Sequence, residues 1–118
     1  VNISEESMNA VNSANLETKE NAFNERVVRK LFRKPPEKEP ALGGFIIQVI
    51  RFEHGLTYDD FLFFGFGQNT IRYWATGKAD PKFDNIEMIC DFYHRDIAEA
   101  ITEAKRLRSA FRRVYAHR

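Results

Sequence analysis

Apolar residues recur at helical spacing along most of this chain, and the breaks between the runs predict where each helix begins and ends. From Glu17 to Lys34, Phe23, Val27, Val28, Leu31 and Phe32 fall three to five apart on one side, and Pro35-Pro36 then stops the helix. Residues 35–44 (PPEKEPALGG) have the composition of a linker. Phe45, Ile46, Val49 and Ile50 form a stripe that predicts a helix over 45–53, with Gly55 at its left-handed end. Thr57 is placed to cap a second, short helix carrying Asp59 and Asp60 in its first turn and burying Phe61, Leu62 and Phe64. Gly65-Phe66-Gly67 breaks it. A third helix spans about 68–76 with Ile71 and Trp74 inward, and Gly77-Lys78 ends it. Pro81 opens a fourth, which offers Phe83, Ile86, Met88, Ile89, Cys90 and Phe92 to the core. Asp96 caps a last, extended helix whose Ile97, Ala100, Ala104, Leu107, Phe111 and Val114 alternate spacings of three and four. That is a heptad seam of about two and a half repeats, and a seam requires a partner helix. The Asn- and Ser-rich residues 1–16 read as a loosely ordered arm. No run has the pattern of a strand, so the fold class expected is all-α.

A length of 118 residues suits one compact domain with extra elements at its ends. The expected division is 1–43 (arm, basic amphipathic helix and Pro-rich linker) and 44–118 (helical domain with the long C-terminal helix). Eleven Phe are more than one small core needs, and Phe63, Phe64 and Phe66 cannot all face inward from a two-turn helix. Either the 17–34 helix folds back over them or they contact another protein. The longest apolar runs are far short of the roughly twenty residues of a membrane span. With Cys90 as the only cysteine no intrachain disulfide can form, and a cytoplasmic location is expected. Net charge is only +1, but its distribution is uneven. Arg26, Arg29, Lys30, Arg33 and Lys34 form one segment without acid, and Lys105, Arg106, Arg108, Arg112, Arg113 and Arg118 form another. Such segments can present a positive face to phosphates or can simply be solvated helix faces.

Between residues 45 and 98 the order of Arg51, Gly55, Leu56, Thr57, Asp59, Asp60, Phe61, Gly65, Thr70, Ile71, Trp74, Gly77, Pro81, Ile86 and Ile89 resembles the helix-turn-helix of the lambda-repressor/Cro family. The resemblance implies a lambda-repressor-like domain of about five helices, with the N-terminal helix and the lengthened C-terminal helix as additions. It also implies regulation of transcription in a bacterium, phage or plasmid. Three features depart from the family's pattern, the first being a second helix one residue shorter than usual. Leu62 stands where a small residue is usual, and Ala75 replaces the acid that commonly pairs with the Arg51 position.

A short helix after a tight turn fits the major groove of B-DNA through its first residues. Gln68 and Asn69 carry the donor-acceptor pair that matches the adenine edge; Arg72 can fork onto guanine or phosphate, and Tyr73 can meet a thymine methyl or a phosphate. Thr70, Thr76, Lys78 and Lys82 are candidate phosphate contacts, as is Arg51 if it is free of a protein partner. One recognition helix reads few base pairs. The expectation is therefore a homodimer on double-stranded DNA, paired through Ile97, Ala100, Ala104, Leu107, Phe111 and Val114. Competing readings are an interaction module that uses Phe63, Phe64 and Phe66, and an architectural DNA-binding protein. Cys90 and His94 lack a second pair for a zinc site, and no nucleophile context or phosphate loop is present, so neither an enzyme nor a cofactor is expected.

Overall fold

In a computed structural model, the backbone is described for residues 5–116 and side chains from Leu16 to Ala116. All regular structure among these residues is helical: α1 (Glu5–Leu31), α2 (Leu42–His54), a 3₁₀ helix (Tyr58–Phe64), α3 (Gln68–Thr76), α4 (Phe83–Phe92) and α5 (Ile97–Val114). No helix among them is long and apolar enough to cross a membrane. Residues 1–4 of the expected arm, and Arg118 of the second basic segment, lie outside the described residues.

Residues 5–16, expected as a loose arm, belong to α1 instead. Asn and Ser lower helix propensity only by tenths of a kilocalorie each, and extending a helix is far easier than nucleating one. At the other end α1 stops at Leu31, three residues before the expected Lys34.

The core is built around α2, where every residue from Gly44 to Ile50 is buried. Helix α5 packs on α2 and on α1, while α3 and α4 also pack on α2 and α4 reaches α5. Val27, Val28 and Phe32 bring α1 into the same core. Phe32 stands edge-on to both Phe45 (6.1 Å) and Phe111 (5.1 Å), and the Tyr115 hydroxyl donates to the Phe32 carbonyl at 3.0 Å. Around the edge of this junction, Arg113 Nε reaches Glu25 at 3.2 Å and Arg112 grips Glu39 through Nε and Nη2 at 2.8 and 3.0 Å.

The heptad seam of α5 thus finds its partners within its own chain. Ala100 and Ala104 are fully buried, Leu107 and Phe111 nearly so, and Ile97 and Val114 pack at the rim of the core. The buried Ala100, Ala104, Leu107 and Phe111 are out of reach of a second copy in this fold, which removes them as the expected dimer contact, while Ile97 and Val114 are only partly buried. Periodicity establishes that a helix needs a partner; it does not say whether the partner comes from the same chain.

The segment between α1 and α2 is irregular and largely exposed, but it is anchored at Pro40 and at Lys38. Pro40 is buried, and Gly77, at the end of α3, has φ +90° with no room for a side chain, because a Cβ there would lie 2.4 Å from the Lys38 carbonyl oxygen. Gly44 makes a similar approach on α2, where a Cβ would meet the Trp74 carbonyl oxygen at 2.2 Å.

The short helix after Thr57 is 3₁₀ rather than α. With three residues per turn, Phe61 and Phe64 face the same way, and Leu62 and Phe63 face out. Phe61 is buried and Phe64 half-buried, whereas Leu62, expected inside, is exposed. On α4 the core takes Ile86, Ile89 and Cys90; Phe83, Met88 and Phe92 stay outside. Asp96 caps α5 as expected, accepting from Glu99 N at 3.0 Å.

Candidate nucleic-acid interface

Helix α3 begins after Gly67 and is anchored by Ile71, Trp74 and Ala75, all buried. Those three fix its inner face, so Gln68, Asn69, Arg72 and Tyr73 are exposed, with Thr70 and Thr76 half-buried at the margins. The strip expected to meet DNA is therefore brought together on the surface. Lys78 follows with its Nζ 5.1 Å from the centre of the Tyr73 ring, and Lys82 is exposed just before α4.

Not every polar group on the strip is idle. Gln68 Nε2 donates to Asp59 Oδ1 at 2.6 Å, so its amide must leave that carboxylate before it can pair with a base edge. Thr76 donates its hydroxyl proton to the Arg72 carbonyl at 2.7 Å, a common internal bond for a helical threonine. For the expected contacts with base edges, Asn69 and Tyr73 are the better-placed groups.

Arg51 is only half-exposed and is committed within the fold. Its Nη1 donates to Gln48 Oε1 at 2.5 Å, its Nε donates to the Leu56 carbonyl at 3.2 Å, and its guanidinium stacks 4.0 Å from the centre of the Tyr58 ring. Burial lowers its pKa from the ordinary arginine value, with Tyr58 opposing that shift. Gln48, fully buried, turns its other end to α3, where Nε2 donates to the Ala75 carbonyl at 3.1 Å. With Ala at position 75, Gln48 takes over the orientation of Arg51 and ties α2 to α3 by the same side chain. Hydrophobic spacing does not single out Gln48. Its signal in the sequence is a single amide inside the apolar run Phe45-Ile46-Ile47-Gln48-Val49-Ile50, since a buried polar group must find partners.

Tyr58, equally silent in the spacing, has Arg51 on one contact and Arg72 on another, the latter 5.7 Å from the ring centre. The ring holds two guanidinium groups beside each other by cation-π attraction. From there a groove of about 900 Å³ runs to the end of α1, lined by Lys30, Arg33, Lys34, Arg51, Arg72 and Thr76 together with apolar side chains. Five cations and no carboxylate line it. A neighbouring hollow continues past Lys34, Glu37, Lys38, Thr76, Tyr73 and Lys78. Lys30, Arg33 and Lys34 of the first basic segment are therefore folded beside Arg72 and Thr76 of α3. Of the second segment, Arg112 and Arg113 are bound to Glu39 and Glu25.

Cys90 is fully buried, and burial pushes its thiol pKa up; His94 is exposed. Phe63, Phe64 and Phe66 are not covered by α1, which turns its own Phe23 to Phe52 (6.0 Å). They stack instead among Phe61, Trp74, Phe92 and Tyr93. No protein-family model matches the chain, and no curated protein or solved structure matches it.

Proposed function

We propose that this protein binds double-stranded DNA, with the first turns of α3 in the major groove and the end of α1 on the sugar-phosphate backbone, and that it acts as a regulator of transcription. The observation that carries the reading is the carboxylate-free groove in which Lys30, Arg33 and Lys34 lie beside Arg51 and Arg72. Five like charges gathered without counter-charge repel one another, and a polyanion that releases its own counterions on binding relieves that repulsion. Exposed Asn69, Arg72 and Tyr73 next to the groove supply donors, acceptors and an aromatic edge suited to base readout. The α1 clamp gives a single chain a second point of attachment, which lessens its need for a dimer partner.

The test is a titration of random and selected duplexes across a range of salt. Affinity for every duplex is expected to fall steeply with salt, with a preference for the selected sequences on top. Binding without preference would leave an architectural role, and no binding at low salt would overturn the proposal.

A further inference from the structure

On the 3₁₀ helix and α4 the molecule exposes large apolar side chains: Leu62 (43%), Phe63 (58%), Phe83 (58%), Met88 (41%) and Phe92 (51%). Phe63 and Phe92 join the two elements, their ring centres 4.6 Å apart, and Phe64 backs Phe92 at 5.1 Å. The buried interior takes only Phe61 from the 3₁₀ helix and Ile86, Ile89 and Cys90 from α4, so these outer rings do not complete the core. Aromatic patches of this kind mark contact surfaces.

Charge selects the occupant. Residues 59–67 and 83–93 contain Asp59, Asp60, Asp84, Glu87 and Asp91 and no Lys or Arg. On α4 the spacing of four puts Asp84, Met88 and Phe92 on one stripe and Phe83, Glu87 and Asp91 on the next, so acid and apolar side chains are interleaved. A two-fold pairing through this face would bring acids against acids, which disfavours a second copy.

We infer that the face formed by the 3₁₀ helix and α4 docks a basic amphipathic helix of another protein, its apolar stripe on Phe63, Met88 and Phe92 and its lysines or arginines on Asp84, Glu87 and Asp91. The 3₁₀ helix contributes Tyr58 to the basic groove, but none of Phe63, Met88, Phe92, Asp84, Glu87 and Asp91 lines it, so either site can fail without the other. It gives the protein a means to bring a second protein to the place where it is bound.

The test uses the full chain and a fluorescent synthetic helix of leucine and lysine in amphipathic register, read by anisotropy. The peptide should bind at low salt. Phe63→Ser with Phe92→Ser should weaken it about tenfold, and Asp84→Asn with Glu87→Gln and Asp91→Asn should weaken it and flatten its salt dependence. Lys30→Ala with Arg33→Ala and Lys34→Ala should leave it unchanged. No binding at low salt, or binding indifferent to the two serines, overturns the inference. So does a doubled mass in light scattering that the serine variant returns to monomer, because the face would then belong to a second copy.

Discussion

The groove between α1 and α3 and the face of the 3₁₀ helix and α4 lie on one small molecule and are opposites in charge. The groove gathers Lys30, Arg33, Lys34, Arg51 and Arg72 without an acid; the face carries Asp59, Asp60, Asp84, Glu87 and Asp91, with Lys82 at the N-cap of α4. A net charge of +1 is the sum of two strong and separate fields, so it reveals neither. Their construction differs as well. Residues distant in sequence make the groove, and it exists only while α1 is docked. The face consists of two short elements joined by ring stacking, and among the described residues α1 does not pack on it.

That difference can be broken at its root. Phe32→Ala removes the ring just past the end of α1 that stands edge-on to both Phe45 and Phe111, and such a truncation costs about 3 to 5 kcal/mol. Urea unfolding should show this loss. At temperatures where the variant is still folded, duplex affinity should fall while peptide binding at Phe63 and Phe92 persists; parallel loss of both would mean the two regions are not independent.

Removing charge without disturbing packing sharpens the contrast. Lys30→Ala, Arg33→Ala and Lys34→Ala together should weaken binding to all duplexes alike and reduce the slope of log affinity against log salt by about 0.9 for each phosphate that is no longer neutralised. An unchanged slope would place the backbone attachment elsewhere. Asn69→Ala should behave in the opposite manner, leaving the salt slope alone and eroding discrimination between sites by about 1 to 3 kcal/mol, measured by competition between selected and random duplexes.

Acid gives the smallest effect. The hydrogen bonds from Arg112 hold the Glu39 carboxyl below its ordinary range. A group with a depressed folded pKa contributes stability that is complete above the ordinary carboxylate value and is lost as pH falls through the folded one. Thermal melts should therefore show a slight added loss of stability at acid pH, absent in Glu39→Gln. The Glu39→Gln variant should also bind duplexes a little more weakly near neutral pH, since the linker beside the groove is then less firmly held.

Helix order, the caps at Asp96 and Gly55, and the inward set Phe45, Ile50, Ile71, Trp74, Ile86 and Ile89 could all be read from spacing, because each depends on residues close in sequence. The exposed strip of α3 followed from the same periodicity. What spacing could not supply were the pairings between distant parts: α1 on α5, Arg112 on Glu39, and Gln48 between Arg51 and Ala75. Phe83, Met88 and Phe92 were expected inside for a related reason. Hydrophobicity says that a side chain gains by burial, not that enough neighbours exist to bury it. The outer rings of the 3₁₀ helix and α4 are where that supply runs out.

Gly77 and the Lys38 carbonyl touch where the linker crosses the end of α3. The stretch from Pro35 to Ala41, which joins α1 to α2, is thereby fastened to the end of α3 near its middle, and its length sets the offset between the end of α1 and α3. In the proposed reading, lengthening it by a single residue would leave every side chain of α3 intact yet put α3 and the basic end of α1 out of phase with the helical repeat of a duplex.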